Sequence, residues 1–423
     1  MSRAARLLPV RTTAAVLVLL GGVAGAATPA SAAPDAMASP ANASSTAVGG
    51  GFYDPPATVA GSPGTVIRSE PMTFYLDPLR LVPSTARATR VMYVSRDRAE
   101  RPDAVTGTLL VPPAAWAGPG RRPVVGYAVG TQGLADRCAP SRQLAAGSEY
   151  EGAFVSGLLS RGYAVALTDY EGLGTPGTHT YMTRVSQAHA VLDMVRAGQR
   201  LPGTGLPADG PVLLAGYSQG GGAVAAAVEL APAYAPELRV RGAVAGAVPA
   251  DLAAVADHLD GGLYAAFALY AVAGLGAAYD LPLDHYLNAR GREVVAAVQQ
   301  ECVSESIGRH AFTRSADLTT DGRSLHDLAQ VEPFRTILDD QRLGRLRPAV
   351  PVLVTHSLAD DVIPYAVGRG LAHDWCRLGA DVAFSTSLTP THVGGAVPSF
   401  AKELAFLEAR VAGLPQASDC SWL

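Results

Sequence analysis

The sequence is poor in lysine and carries no excess of positive charge. Lys402 is its single lysine, and 33 basic residues face 37 acidic ones, which gives a formal net charge of −4. The first 32 residues contain three arginines and no acid, so the chain without them would carry −7. Net negative charge argues against binding to nucleic acid or to an anionic membrane surface. We therefore expect neither as a partner.

Residues that commonly hold metals are also few. The chain has four cysteines and nine histidines, and none of them follows the ligand spacing of a zinc site. No cofactor-binding motif is present either. We therefore expect a protein that works without a metal and without a cofactor.

The N-terminus has the order of regions found in secretory signal peptides. Three arginines lie within the first 11 residues, the uncharged run Thr12–Ala27 follows, and Ala30-Ser31-Ala32 supplies the small residues of a cleavage site. We predict that residues 1–32 are a signal peptide and that the mature protein is secreted. The alternative, a membrane anchor, is disfavoured because the run is short and rich in alanine and glycine. No later segment predicts a membrane span, so stable membrane insertion is not expected.

The order of apolar runs and helical patterns predicts an α/β fold. β-branched runs between Thr65 and Val111 indicate an antiparallel edge of a sheet. From Pro123 to Val248, apolar strand-like runs alternate with helical patterns. Two further strands are predicted at Val350–His356 and Asp381–Leu388, before a final helix at Ala396–Ala412. Such alternation is typical of a mostly parallel sheet with helices on both faces.

The same pattern divides the chain into a core and an insertion. Residues 250–347 have helical patterning and no strong strand signal, so we predict a helical cap inserted between core residues 63–249 and 348–423. Residues 33–62 are rich in Ala, Ser, Pro and Gly and are predicted to form a disordered leader. Within the cap, the uncharged segment Leu263–Tyr279 is predicted to be a helix that is either buried in the core or lines a ligand site.

The motif Gly216-Tyr-Ser218-Gln-Gly220 is the strongest chemical signal in the chain. It follows an apolar run that starts at Pro211 and precedes a helix rich in small residues. Glycines on both sides of a serine permit a tight turn from strand to helix, and the N-terminus of the helix then faces the negative charge that develops during attack. We therefore predict that Ser218 is a catalytic nucleophile.

The partners of this serine must come from distant parts of the chain. A serine hydroxyl is a weak nucleophile, so it needs a histidine as base and a carboxylate that orients the histidine, normally in the chain order serine, acid, histidine. Asp360 follows the end of a predicted strand and is our choice for the acid, with Asp361 as the alternative. Only His373 and His392 follow the acid. We prefer His392, predicted in a loop before the final helix, because His373 lies within a helical pattern.

Attack by a serine creates an oxyanion that needs at least two N–H donors. The backbone N–H of Gln219, directly after the nucleophile, is predicted to be one of them. The second is predicted in the loop Gly130-Thr131-Gln132-Gly133, where glycines let the backbone approach a substrate. Gln132 is the first choice and Thr131 the second.

Cysteine usage is that of an exported protein. The four cysteines predict two disulfides, and they are Cys138, Cys302, Cys376 and Cys420. Three pairings are possible, and the sequence pattern does not choose among them. Four buried free thiols are the alternative.

Several short motifs occur together in a specific order. They are GTQGLADRCAPS from Gly130, DYEG from Asp169, GYSQG from Gly216, AYAPEL from Ala233, LNARG from Leu287, DDVIPY from Asp360, and His392 through Ser399. In this order they resemble the secretory lipase family, the group that contains fungal lipase A. The resemblance runs from about Phe52 to Cys420.

The resemblance implies an α/β-hydrolase fold with a helical cap that holds an acyl chain. It also implies esterase or triacylglycerol lipase activity and supports Ser218, Asp360 and His392 as the catalytic triad. The disulfides that it implies are Cys138–Cys302 and Cys376–Cys420, the first of which would tie the oxyanion loop to the cap.

On this basis we expect a secreted serine ester hydrolase, a triacylglycerol lipase or carboxylesterase, that acts on an ester or lipid substrate through an acyl-enzyme. The alternatives are an acyltransferase or serine peptidase on the same fold and a non-catalytic lipid-binding surface protein. Fungal members of the family carry an acidic residue at the position of Gln132, so this chain departs from their pattern at the second oxyanion position.

Overall fold

The computed structural model of the chain describes residues 51–423. The predicted signal peptide, residues 1–32, and the predicted leader up to residue 50 lie outside the described residues. In the remaining part of the predicted leader, Tyr53 is buried, and its hydroxyl lies 2.9 Å from the Oγ of Ser141. Tyr53 thus contacts the folded core within a segment whose composition predicts disorder.

A sheet of nine strands forms the centre of the fold. The strands are β1 Val66–Met72, β2 Arg87–Arg96, β3 Pro102–Val111, β4 Val124–Ala128, β5 Ala164–Thr168, β6 Pro211–Tyr217, β7 Arg239–Gly246, β8 Val352–Ala359 and β9 Val382–Pro390. Their order across the sheet is β1-β2-β3-β5-β4-β6-β7-β8-β9. The strand pairs β1–β2, β2–β3 and β3–β5 are antiparallel, and the other five pairs are parallel. The sheet is therefore mostly parallel with an antiparallel edge, as the sequence predicts.

Helices follow and cover these strands. They are α1 Pro140–Ala146, α2 Gly152–Ser160, α3 Arg184–Arg200, α4 Gln219–Tyr234, α5 Leu252–Leu259, α6 Ala265–Ala278, α7 Ala289–Val298, α8 Val303–His310, α9 Leu325–Ala329, α10 Phe334–Asp340, α11 Tyr365–Arg377 and α12 His392–Val411. Helix α3 packs on α4, and α2 packs on α12 through the rings of Phe154 and Phe400, which are 4.8 Å apart. Strands β4 and β5 are buried at every position, which explains their uninterrupted apolar sequences.

Helices α5 to α10 lie between β7 and β8, in the segment that we predict to be a cap. Helix α6 falls within the uncharged segment Leu263–Tyr279. Its residues Leu269 and Tyr270 are buried in a hydrophobic cluster formed largely by the cap. In residues 51–423 no helix is both long and apolar enough to cross a bilayer.

One boundary differs from the sequence-based expectation in a way that matters for the site. His392 is not in a loop, because helix α12 begins at this residue rather than at Ala396. The side chain of Thr391 caps the helix by accepting a hydrogen bond from the N–H of Gly394 at 3.1 Å. Gly394 and Gly395 are consecutive, and glycine has a low helix propensity. The sequence pattern therefore does not predict the first turn of α12.

Two disulfides are present, Cys138–Cys302 and Cys376–Cys420, in the pairing that the family resemblance implies. The first joins the segment before α1 to the start of α8 in the predicted cap. The second joins α11 to the C-terminal segment.

Candidate active site

Ser218 lies at the sharp turn between β6 and α4. Its backbone has φ 60° and ψ −121°, a strained conformation for a residue with a side chain. The flanking glycines are required, since a Cβ at Gly216 would lie 2.6 Å from the carbonyl oxygen of Ala128 and one at Gly220 would overlap the same oxygen. The turn is fixed by the N–H of Ser218, which donates to the carbonyl of Gly246 at 2.9 Å.

The first N–H groups of α4 are directed toward this turn. Helix α4 begins at Gln219, and the first four N–H groups of a helix have no acceptor within the helix. The side-chain amide of Gln219 is held by His179, whose Nε2 it reaches at 3.0 Å, and by Gln187 at 3.1 Å. The backbone N–H of Gln219 can therefore face a bound oxyanion while its side chain stays in place.

The predicted acid and base are in direct contact. The Oδ2 of Asp360, just after β8, lies 2.8 Å from the Nδ1 of His392 at the start of α12. The Oδ1 of Asp360 accepts hydrogen bonds from the N–H groups of Val362 and Ile363 at 2.9 and 2.8 Å. Burial acts to raise the pKa of Asp360, but the bond to His392 and the two N–H donors outweigh it, so the pKa lies below its usual value. Asp360 is thus an ionised carboxylate that can orient an imidazole.

The two alternative residues occupy other environments. Asp361 does not bond to the imidazole; its Oδ1 accepts the backbone N–H of His392 at 2.8 Å. His373 is exposed on α11, and its nearest carboxylate is that of Asp374, at 3.9 Å. Of the two candidate acids and two candidate bases, only Asp360 and His392 are hydrogen-bonded to each other through their side chains.

Ser218 and His392 are neighbours but not hydrogen-bonded. The ring of Tyr217, the residue before Ser218, lies 5.1 Å from the ring of His392. Within residues 51–423 the Nε2 of His392 forms no hydrogen bond with the Oγ of Ser218. Contacts between a catalytic serine and its base are often long without substrate and shorten in the complex.

The side chains of the predicted oxyanion loop are held by hydrogen bonds. The side chain of Gln132 is buried, where it donates to Glu149 at 3.1 Å and accepts from Gln143 at 2.6 Å. The Oγ1 of Thr131 lies 2.7 Å from the hydroxyl of Tyr181, which lines the cavity beside Ser218. The side chain of Gln132 is therefore engaged elsewhere, and only the backbone of this loop is free to contribute a donor.

The predicted cap supports the same loop. The N–H of Val303 donates to the carbonyl of Gln132 at 2.9 Å, and the N–H of Leu134 donates to the carbonyl of Glu301 at 3.1 Å. The disulfide Cys138–Cys302 joins the two segments covalently. Backbone pairing and the disulfide together limit the movement of residues 130–135.

Three buried carboxyl groups near this loop have no counterpart in the sequence-based predictions. Glu151 accepts the N–H of Gly130 at 2.7 Å and the hydroxyl of Tyr127 at 2.6 Å. Burial raises the pKa of Glu151 to about 7 and those of Glu149 and Glu403 to about 8. The only sequence signal for two of them is the closely spaced pair Glu149 and Glu151, which precedes α2.

Replacing Glu403 by glutamine should stabilise the protein at alkaline pH. The pKa of Glu403 rises from 4.5 to about 8 in the fold, first through burial and second through the charge of Glu151, so the native state binds its proton more tightly than the unfolded state. This contribution to stability is full below about pH 4.5 and is lost as the pH rises to about 8. We expect the Tm of Glu403→Gln to exceed that of wild type by roughly 5 °C at pH 9 and to match it at pH 4.5.

Differential scanning calorimetry across this pH range checks the prediction. Glu408→Gln, at a partly exposed position on the same helix, is the control and should show no pH-dependent gain. Equal Tm differences at both pH values for Glu403→Gln would contradict it.

Two cavities with partly shared linings lie near the serine. The first contains Ser218 and Gln219 and is otherwise mostly apolar. The second lies within the helices of the predicted cap and is lined almost entirely by apolar side chains. Four residues line both cavities, and they are Leu252, Ala256, Ala268 and Ala271. In residues 51–423 no group of three or more potential ligands is arranged to hold a metal ion.

A profile of the secretory lipase family matches residues 139–419, more than half of the chain. The chain belongs to the secretory lipase family. A protein of Mycobacterium tuberculosis (strain CDC 1551 / Oshkosh), named a probable inactive lipase, is 30% identical over 380 residues, which cover 86% of this chain and 82% of that protein. The secreted triacylglycerol lipase LIP3 of Malassezia restricta is 28% identical over 384 residues, which cover 86% and 79%.

Solved structures show the fold of this family member. The crystal structure of Candida antarctica lipase A in its closed state matches with a TM-score of 0.77 and 24% identity, covering 88% of both chains. The rice cell wall degrading esterase LipA from Xanthomonas oryzae matches with a TM-score of 0.66 and 20% identity, covering 83% of this chain and 97% of that one. The predicted α/β-hydrolase fold and the family resemblance are thereby confirmed.

Proposed function

We propose that this member of the secretory lipase family is a secreted serine ester hydrolase, a triacylglycerol lipase or carboxylesterase. The observation that carries the proposal is the 2.8 Å contact between Asp360 and the imidazole of His392, beside a serine held in a strained turn at a helix N-terminus. The strained turn, the acid and base pair and the apolar cavities are together what hydrolysis of a lipid ester requires.

In the proposed mechanism, the Oγ of Ser218 attacks the ester carbonyl carbon while the Nε2 of His392 takes its proton. Asp360 keeps the Nδ1 of His392 protonated and stabilises the imidazolium. The carbonyl oxygen becomes an oxyanion that accepts hydrogen bonds from the backbone N–H of Gln219 and a backbone N–H of the Thr131-Gln132 segment.

The tetrahedral intermediate then collapses and the alcohol leaves with the proton from His392, which gives an acyl-enzyme on Ser218. A water molecule, deprotonated by His392, attacks the acyl carbon and releases the fatty acid. Both half-reactions use the same base and the same oxyanion donors.

The apolar cavity in the cap is the proposed site of the acyl chain. It is the larger of the two cavities and shares its lining with the one that contains Ser218. Three of the residues that line both cavities are small, and they are Ala256, Ala268 and Ala271. Burying each methylene of a chain there stabilises the complex by about 0.8 kcal/mol.

A large side chain where the linings of the two cavities meet should shorten the acyl chains that the enzyme accepts. With Ala271→Phe, we expect kcat/KM for a p-nitrophenyl ester of 12 or more carbons to fall about 100-fold, since roughly four methylenes lose their apolar site, while the butyrate ester changes less than about threefold. Ala277→Phe, an exposed position on the same helix, is the matched control. An equal loss for short and long esters with Ala271→Phe would contradict this placement of the acyl chain.

One relative gives weight to a second candidate, a lipid-binding protein without catalysis, because its name describes it as a probable inactive lipase. The two candidates are separated by a fluorophosphonate probe, which reacts only with an activated serine. Labelling of Ser218 together with release of fatty acid from triolein supports the hydrolase, and no labelling supports the carrier. An acyltransferase or a peptidase would be recognised by its products when an alcohol acceptor or a peptide is supplied.

A further inference from the structure

Tyr217 makes a contact that the proposed mechanism does not use. Its hydroxyl donates a hydrogen bond to the backbone carbonyl of His392 at 2.8 Å. Tyr217 is the last residue of β6 and is bonded covalently to Ser218. A single side chain therefore connects the strand that carries the proposed nucleophile to the helix that carries the proposed base.

The backbone of His392 is held at its other end as well. Its N–H donates to the Oδ1 of Asp361 at 2.8 Å. A carboxylate at this position also lies at the N-terminus of α12, where negative charge is favourable. The peptide groups on both sides of the Cα of His392 are thus bonded to side chains from two other elements, while Asp360 bonds its imidazole.

The first turn of α12 depends on such external contacts. Gly394 and Gly395 follow His392, and glycine is among the residues that least favour a helix. The close packing also requires Gly395, since a Cβ there would lie 2.8 Å from the hydroxyl of Tyr217 and 2.9 Å from the Cβ of Ser357. The site thus combines a weak local helix with two directed hydrogen bonds.

We propose that Tyr217 and Asp361 are positioning residues that hold the main chain of His392 at the distance from Ser218 that proton transfer needs. The proposal rests on the proposed function, because it assigns a role to the contacts around the proposed base. A base that must take a proton from the serine and return it to the leaving group loses efficiency when its geometry drifts by as little as an ångström.

The first test is Tyr217→Phe, which removes only the hydroxyl. We expect kcat for a short soluble ester, counted per active site titrated with a fluorophosphonate, to fall about tenfold with KM nearly unchanged. Counting titrated sites removes the contribution of unfolded protein. An unchanged kcat per titrated site would overturn the proposal for Tyr217.

Tyr234→Phe is the matched control, at the opposite end of α4. Its hydroxyl bonds to the Oδ2 of Asp193 at 2.7 Å, so this variant loses a side-chain hydrogen bond that does not involve the site. We expect a lower Tm and an unchanged kcat per titrated site. If Tyr234→Phe lowered kcat as much as Tyr217→Phe, the effect of the latter would be general and the proposal would fail.

Asp361 is tested by a pair of substitutions. Asp361→Ala removes the acceptor and should lower kcat per titrated site about tenfold, whereas Asp361→Asn retains an oxygen that can accept the same N–H and should restore most of it. Equal activity of the two variants would overturn the role of this hydrogen bond.

A double substitution distinguishes the positioning role from the proposed function itself. If Tyr217 acts through His392, Tyr217→Phe should have no further effect on the residual activity of His392→Ala. An additive loss would overturn the positioning role while leaving the hydrolase intact. Full activity of His392→Ala alone would instead reject the proposed base.

Discussion

Ser218→Ala should eliminate hydrolysis of p-nitrophenyl esters, lowering kcat by about a million-fold. The substitution removes the one oxygen that can form the acyl-enzyme, and what remains is the stabilisation of the oxyanion by backbone donors. The fold should be retained, because alanine adds no atoms to a turn whose space is limited by glycines on both sides. The Tm should therefore stay close to that of wild type in calorimetry.

Labelling with a fluorophosphonate provides an independent measurement for the same variant. Wild type should be labelled at Ser218, and Ser218→Ala should not be labelled. Ser160→Ala is the control, since its hydroxyl is exposed and bonds only to the carbonyl of Gly157 within α2. Retained ester turnover in Ser218→Ala would show that the nucleophile is a different residue.

Asp360→Asn and Asp361→Asn should differ in activity by orders of magnitude although the two positions are adjacent. At position 360 the amide can present an N–H to the Nδ1 of His392, which favours the wrong tautomer of the base, so we expect kcat near neutral pH to fall about 10⁴-fold. At position 361 the amide oxygen can still accept the backbone N–H of His392, so the loss should stay within about threefold.

Steady-state kinetics per titrated site compares the two variants directly. The result that would reverse the assignment is a larger loss for Asp361→Asn than for Asp360→Asn. Neither variant changes the size of the side chain, so the comparison isolates the bond to the imidazole from the bond to the backbone.

Much of the candidate site follows from local sequence. Gly216 and Gly220 around Ser218 indicate a strand-to-helix turn, and the structure contains that turn with the backbone conformation that the motif requires. The order of serine, acid and histidine along the chain reduces nine histidines to two candidates. The turn is predictable because its geometry depends on near neighbours, whereas the choice of His392 as the base stays a prediction.

The first turn of α12 shows where such reasoning fails. Thr391 to Gly395 has the composition of a loop, yet His392 is the first residue of a helix. Besides the cap from Thr391, two contacts that hold this turn come from Tyr217 and Asp361, which lie 175 and 31 residues away from His392 in sequence. A local pattern cannot contain that information.

The oxyanion loop shows a related limit. Glycines near Gln132 indicate a backbone that approaches a substrate, but they do not indicate where its side chain points. In the structure that side chain is bonded to Glu149 and Gln143 behind the loop. The buried carboxyls themselves were not predicted, because a pair of glutamates before a helix is usually exposed.

The sequence by itself determined the alternation of strands and helices, the position of the strained serine and the small set of acids and histidines that could serve it. The first two properties depend on residues within a few positions of one another, and the third on the order of residue types along the chain. Only the tertiary structure decided which of two adjacent aspartates faces the imidazole, which side chains line the cavity beside the serine, and that Tyr217 bonds to the backbone of His392. Such contacts join residues 31 to 175 positions apart, and their distances are set by strand register and helix packing across the whole sheet.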